Sequence, residues 1–218
     1  MSRPRLNRQR VIRAAVKLAD HDGIEAVTMR RLGRELGVEA MSLYNHVANK
    51  DEILEGIADA VVGEIDLPPE GTDWKTALRG NAIASRDMLL RHRWASSLKM
   101  RRMPGPATLG QNEWVLRTLR EAGFSEELTY HAYHILESYV VGFAVQELNF
   151  TSYTEEQMAE LAATFLRDFP RDDYPHFTKH VEQHLDPPPG EEGGFELGLD
   201  LLLDALERLR GREEASAH

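Results

Sequence analysis

The chain has 218 residues, 42% of them hydrophobic and 28% charged, the values of an ordinary globular protein rather than a disordered or fibrous one. It contains no cysteine, which excludes a disulfide framework, a thiolate metal site and a cysteine nucleophile, and suits a reducing cytoplasm. The net charge of −10 is unevenly placed: residues 1–50 hold ten Lys and Arg against five Asp and Glu, leaving the equivalent of −15 on residues 51–218. A basic head on an acidic body is the distribution expected of a segment that meets a polyanion.

The basic start, Met1 to Arg5, leads into no apolar run, so no signal peptide is expected. No apolar stretch is long enough to span a bilayer: residues 197–209 are interrupted by Asp200, Asp204, Glu207 and Arg208. The expected location is therefore cytoplasmic. Strand signals are nearly absent, and helical signals recur along the chain. Val11, Ile12, Ala15, Leu18 and Ala19 form one helical stripe closed by Gly23. Thr28 caps a short helix whose inward residues are Leu32 and Leu36; Gly37 ends it, and another helix starts near Glu39 or Ala40. Asn49 with Glu52 resembles a capping arrangement for a helix over 50–65.

The segment 66–73, rich in Pro, Gly and Asp, sets a domain boundary: residues 1–65 form the head and residues 66–218 the body. Within the body, helices are expected over 74–93, 107–122, 126–149, 155–168 and 195–209, with loops at 101–106, 170–175 and 187–194 and a frayed tail at 213–218. Thr154 and Gln157 form a capping box. The fold class is thus all-α, with a three-helix helix-turn-helix head on a larger helical ligand-binding and dimerisation body. The stretches 128–148 and 195–209 are apolar around most of their circumference and must be covered on more than one side. Central burial would do this. So would a seam with a second copy, and the seam is the favoured reading.

Residues 28–47 carry the most specific pattern. Leu32 and Leu36 seat the first helix, Gly37 makes the turn, Val38 plugs the angle, and Leu43 and Val47 seat the second helix. Ala40, Met41, Ser42, Tyr44, Asn45 and His46 are left pointing outward, as a helix entering the major groove requires. Asn45 offers paired donor and acceptor groups to a base edge. Ser42 can reach a base or phosphate, and Ala40 or Met41 a thymine methyl. Arg30 reaches from the preceding helix, and Tyr44, His46 and Lys50 suit phosphates. With Thr28 these are the candidate DNA-binding residues.

Residues 23–50, above all the Leu-Tyr-x-His pattern at 43–46 followed by Lys50, resemble the head of the tetracycline-repressor family. The likeness continues through Leu90 to Arg93, Gly123 to Ser125, the 128–148 helix and Phe195 to Leu199, and points to the tetracycline repressor's own branch of C-terminal domains. The resemblance implies a homodimer joined by a four-helix interface from helices 128–148 and 195–209, double-stranded operator DNA as partner, and a pocket in each body for a small-molecule effector. It departs at Lys99, where the family's namesake places a metal-coordinating histidine, and at Gln146, with Glu147 beside it, where it places an acid. Tetracycline–magnesium recognition is accordingly not assigned.

Met88, Trp94, Met100, Met103, Trp114, His134, Tyr139 and Phe143 are the candidate effector-binding residues, large adaptable groups suited to a hydrophobic or aromatic compound. For any single one of them, a place in the core is the stronger reading. His176, His180 and His184 share a helical face, but no further ligand is fixed, so no metal or cofactor is expected. No zinc-protease, phosphate-loop, nucleophile-elbow or dinucleotide motif occurs, so the chain is not expected to be an enzyme. The competing reading is a helical small-molecule-binding or scaffold protein without DNA binding.

Overall fold

The computed structural model describes residues 5–69, 71–99, 103–150, 154–185 and 194–216, and among these every regular element is a helix. The head begins with α1 (Arg8–Asp22), whose inward stripe of Val11, Ile12, Ala15, Leu18 and Ala19 is buried as its spacing predicts. A short 3-10 turn follows, then α2 (Met29–Leu36) and α3 (Ala40–Leu43). α4 (Lys50–Val62) lies against α1 and continues toward the body, packing on α5, α6 and α7.

The body holds α5 (Trp74–Arg91), α6 (Ala95–Lys99), α7 (Pro106–Glu121), α8 (Glu126–Phe150), α9 (Glu155–Asp168), α10 (Pro175–Leu185) and α11 (Gly194–Ser216). α5 packs chiefly on α8, and α11 lies across both. Leu128, Ala132, Leu136, Val140 and Ala144, spaced four apart, form the buried stripe of α8, and Phe195, Leu199, Leu203 and Leu206 that of α11. Phe195 stacks on Tyr139 with ring centroids 5.3 Å apart. Head and body share one continuous apolar core through α4.

Charged side chains fix the register of α11 on α5. Lys75 Nζ lies 2.5 Å from Asp204 and 2.8 Å from Glu207, and Arg79 meets Glu196 and Asp200, each at 2.7 Å. These carboxylates raise the Lys75 pKa, Asp204 first, while Lys75 lowers that of Asp204. Such exposed pairs orient more than they stabilise.

Three elements differ from the sequence reading. The sequence reading assigns no element between the helix ending at 93 and the loop starting at 101; the structure places α6 there, little more than a single turn. α11 runs to Ser216 instead of fraying at 213, because Glu213 accepts from the Ser125 hydroxyl at 2.8 Å and ties the last turns to the start of α8. α3 is only four residues long; residues 44–46 continue as a turn held by the His46 and Val47 amides donating to the Leu43 carbonyl at 2.9 and 3.1 Å.

The head is clasped at Glu52. Its carboxylate accepts from the Ala48 amide at 2.6 Å and from Arg8 Nε at 2.9 Å, and these two donors, the amide first, hold its pKa below 4.5. A carboxyl with a lowered folded-state pKa contributes stability that is full above the unfolded value and is lost as pH falls through the folded one. The stability advantage of the wild type over Glu52→Gln, measured in parallel thermal melts, should be full at pH well above the usual glutamate range and shrink as pH falls through and below that range. A difference independent of pH in the acid range rules the clasp out.

Candidate functional site

The turn between α2 and α3 is built from one left-handed residue and one close approach. Gly37 adopts φ 66° and ψ 40°, a conformation costly for residues with a Cβ, and its amide caps α2. Gly33 sits so near α3 that a Cβ there would lie 2.9 Å from the Val38 carbonyl oxygen and 3.2 Å from the Ala40 amide. Thr28 caps α2, its hydroxyl oxygen accepting from the Arg31 amide at 3.2 Å. Asn49 caps α4 by accepting from the Glu52 amide at 2.9 Å.

Leu32, Leu43 and Val47 are buried beneath this pair, at 0%, 0% and 2% exposure. Because Leu43 points inward, its neighbours point out. Met41 is 74% and Tyr44 48% exposed, Asn45, Arg30 and Lys50 are exposed, and Thr28, Ala40, Ser42 and His46 are half-buried along the same edge. Arg30, Asn45 and Lys50 carry no side-chain hydrogen bond or ion pair among the described residues. Apolar Met41 and polar Asn45 stand one turn apart, a surface able to meet both a methyl and a hydrogen-bonding base edge.

The body's polar-lined cavity lies between α5, α7 and α8 and measures about 60 Å³. Leu78, Ala82, Val115, Leu136 and Val140 make its apolar part, and Asn81, Ser85, Gln111, Asn112, Tyr133 and Glu137 its polar part. Gln111 Nε2 donates to Ser85 Oγ at 3.0 Å. Asn81 Nδ2 is buried with no hydrogen-bond partner among the described residues, an expensive state that a ligand or water acceptor would relieve. Burial first, and then the Glu137 charge, raise the Tyr133 pKa, so its phenol stays a neutral donor.

None of the described residues expected to bind an effector lines this cavity. Met88 and Met103 border a separate recess beside α4 and α6, Met103 being 80% exposed. Trp114 faces a groove shared with Trp74 and Arg117. His134 stands exposed against Tyr130 and Tyr133. Tyr139 and Phe143 pack on Phe195, with the Tyr139 hydroxyl donating to the Phe195 carbonyl at 2.8 Å. Met100 and the Lys99 side chain lie outside the described residues. Gln146 is exposed, and Glu147 is held by Arg86 in a two-pronged pair with bonds of 2.7 to 2.9 Å, its charge already matched.

Trp94 belongs to a joint between head and body. Its indole donates to Asp20 of α1 at 2.7 Å. The buried His92 ring puts Nδ1 2.8 Å from that same Asp20 and Nε2 3.1 Å from Glu64, just past α4. A second joint lies at the start of α7: Asp59 of α4 accepts from the Thr108 amide at 2.9 Å, the Thr108 hydroxyl at 3.0 Å and the Ala107 amide at 3.3 Å.

The polar residues of the cavity had a signal in the sequence. Asn81 and Ser85, four apart, interrupt the otherwise apolar inward face of α5, where Ala77, Leu78, Ala82, Met88 and Leu89 are buried. His176 and His180 lie on α10 and are exposed, while the side chain of His184 is outside the described residues; no group of three or more metal-ligating side chains occurs among the described residues. Nor is any described helix long and apolar enough to cross a membrane.

A helix-turn-helix head joined to an all-helical body through α4 and the Asp20 contacts of α1 defines a class, the ligand-responsive transcriptional regulators. Residues 11–57 match the family described as bacterial regulatory proteins, tetR family, and residues 67–210 match the tetracyclin repressor-like C-terminal domain. The chain belongs to the tetR family of bacterial regulators. It is 30% identical over 206 residues to the class D tetracycline repressor protein of Escherichia coli, covering 93% of this chain and 90% of that one. It is 37% identical over 143 residues to an HTH-type transcriptional regulator of Saccharopolyspora erythraea, a match spanning 65% of this chain and only 61% of that regulator's length. Among solved structures, Streptomyces coelicolor ActR in complex with actinorhodin superposes with a TM-score of 0.76 at 28% identity, covering 95% of this chain and 99% of ActR.

Proposed function

We propose that this chain is a repressor that binds a palindromic operator as a homodimer and is released by a small hydrophobic or aromatic effector. The observation that carries the reading is the 40–46 segment, whose apolar seat at Leu43 and Val47 is buried while Met41 and Asn45 face outward without an intramolecular role. Residues 1–65 serve as the DNA-binding domain and residues 66–218 as the effector-binding and dimerisation domain. A cytoplasmic location follows from the DNA partner.

The dimer is supported by two uncovered apolar edges. On α8, His131, Ile135, Ser138, Gly142 and Val145 are exposed along one stripe opposite the buried one. On α11, Leu197 and Leu201 are 65% and 61% exposed. Two such helices from each of two copies make a four-helix seam. The effector site is the cavity between α5, α7 and α8, whose apolar walls and convergent amides suit a flat, oxygen-bearing compound. The effector favours a dimer state whose two recognition segments no longer match major grooves ~34 Å apart. A coupling of about 1–3 kcal/mol lowers operator affinity roughly 5–150-fold.

The test is selection of bound sequences from random duplex DNA, followed by anisotropy titration of the recovered duplex. An inverted repeat is expected, with affinity falling steeply as salt rises. Asn45→Ala should weaken binding by about 1–3 kcal/mol and relax selectivity at one base position. A protein that ignores every duplex at low ionic strength is instead the helical small-molecule-binding or scaffold protein.

A further inference from the structure

We propose that Asp59 is the positioning residue through which the cavity wall steers the DNA-binding head: by capping α7 from α4, it makes the two helices move together. The inference rests on the cavity being the effector site, as proposed above, and names the side chain that transmits its state.

The cavity is too small for an effector as it stands. About 60 Å³ accommodates a few waters at most, whereas sites for drug-sized ligands measure roughly 300–1,000 Å³. One wall must therefore move. α5 and α8 are each anchored by a full stripe of buried residues, but α7 buries only Leu119 completely. The wall that yields is α7, which brings Gln111, Asn112 and Val115 to the cavity.

The first turn of α7 is tied directly to α4. The Asp59 carboxylate takes up the Ala107 and Thr108 amides and the Thr108 hydroxyl, three donors otherwise left at the start of this helix. The packing around this cap is close. A Cβ at Gly105 would lie 2.6 and 2.7 Å from the two Asp59 carboxylate oxygens, and one at Gly63 would lie 3.5 Å from the Ala107 Cβ. Midway along its length α4 lies close against α1: a Cβ at Gly56 would lie 2.5 Å from Ile12 Cδ1. Outward movement of α7 therefore drags α4 by Asp59, and α4 carries α1 and the recognition segment with it. Without the cap, only side-chain packing still links α4 to α7, and the coupling between their movements weakens.

Coupling of this kind is reciprocal, so it can be read with DNA alone. The probe is the operator duplex recovered by selection, and the readout is amide hydrogen exchange over residues 107–115 of the full chain. In the wild type, operator should slow exchange there about fivefold or more. In Asp59→Ala, exchange of the first turn should be fast with or without DNA, and the operator-dependent change at 111–115 should fall below about twofold. Asp59→Asn keeps one oxygen acceptor and should retain an intermediate response, which also covers the case that the Ala variant folds poorly. A purely local cap would leave the operator response at 111–115 intact in both variants, and that result overturns the proposal. So does a wild type that binds operator with no change over 107–115. Failure to bind any duplex overturns the proposed function and this inference together.

Discussion

A chain carrying Leu197→Glu and Leu201→Glu should sediment as a monomer and lose operator binding at concentrations that saturate the wild type. Both side chains are more than half exposed in the protomer, so within one copy the substitutions change little. In a four-helix seam the same positions are covered, and four introduced carboxylates would be desolvated near one another. Each buried charge costs on the order of several kcal/mol, which opposes the seam strongly. Operator binding falls because the second half-site no longer binds as part of one molecule, a loss on the order of 10²–10⁴-fold. Equilibrium sedimentation and anisotropy, run on the same preparation, read both effects. A variant that remains dimeric with unchanged operator affinity places the seam elsewhere.

Leu43→Ala should strongly destabilise the head. Its side chain is 0% exposed and holds the recognition segment down. Truncating a buried leucine costs about 2–5 kcal/mol, against a total domain stability of roughly 5–15 kcal/mol. Chemical denaturation should show a large drop in midpoint, and DNA binding should fail with it. Met41→Ala, two residues away and 74% exposed, should move stability by no more than about 0.5 kcal/mol while altering duplex selectivity. Equal midpoints for the two variants would mean that the segment is not seated by Leu43.

That contrast shows why the head was legible in the sequence and the cavity was not. Gly37, Thr28 and Asn49 act on the backbone within three residues of themselves, so their chemistry survives without knowledge of the fold. The inward and outward sides of residues 40–47 follow from the four-residue spacing of Leu43 and Val47. The cavity depends on three helices meeting. Choosing Met and Trp for their size pointed to Met88 and Trp94, which are buried in core and joint, and to Met103, which is exposed. The informative residues were smaller and polar: Asn81 and Ser85 stand where an apolar face would place an aliphatic group. Asp59 had no sequence signal, since its partners lie 48 and 49 positions away.

The split of charge between head and body also bears on how the molecule finds its target. With a surplus of five positive charges over residues 1–50 and −15 over the remainder, the protein is an electrical dipole in the field of a duplex. Approach turns the recognition end inward and pushes the remainder out toward solvent. Encounters in the wrong orientation separate before they waste time, and the acidic remainder limits the trapping of protein on unrelated DNA. A negative total charge is thus an asset for searching a genome, because it lets a modest cluster of cations near the N-terminus govern every collision.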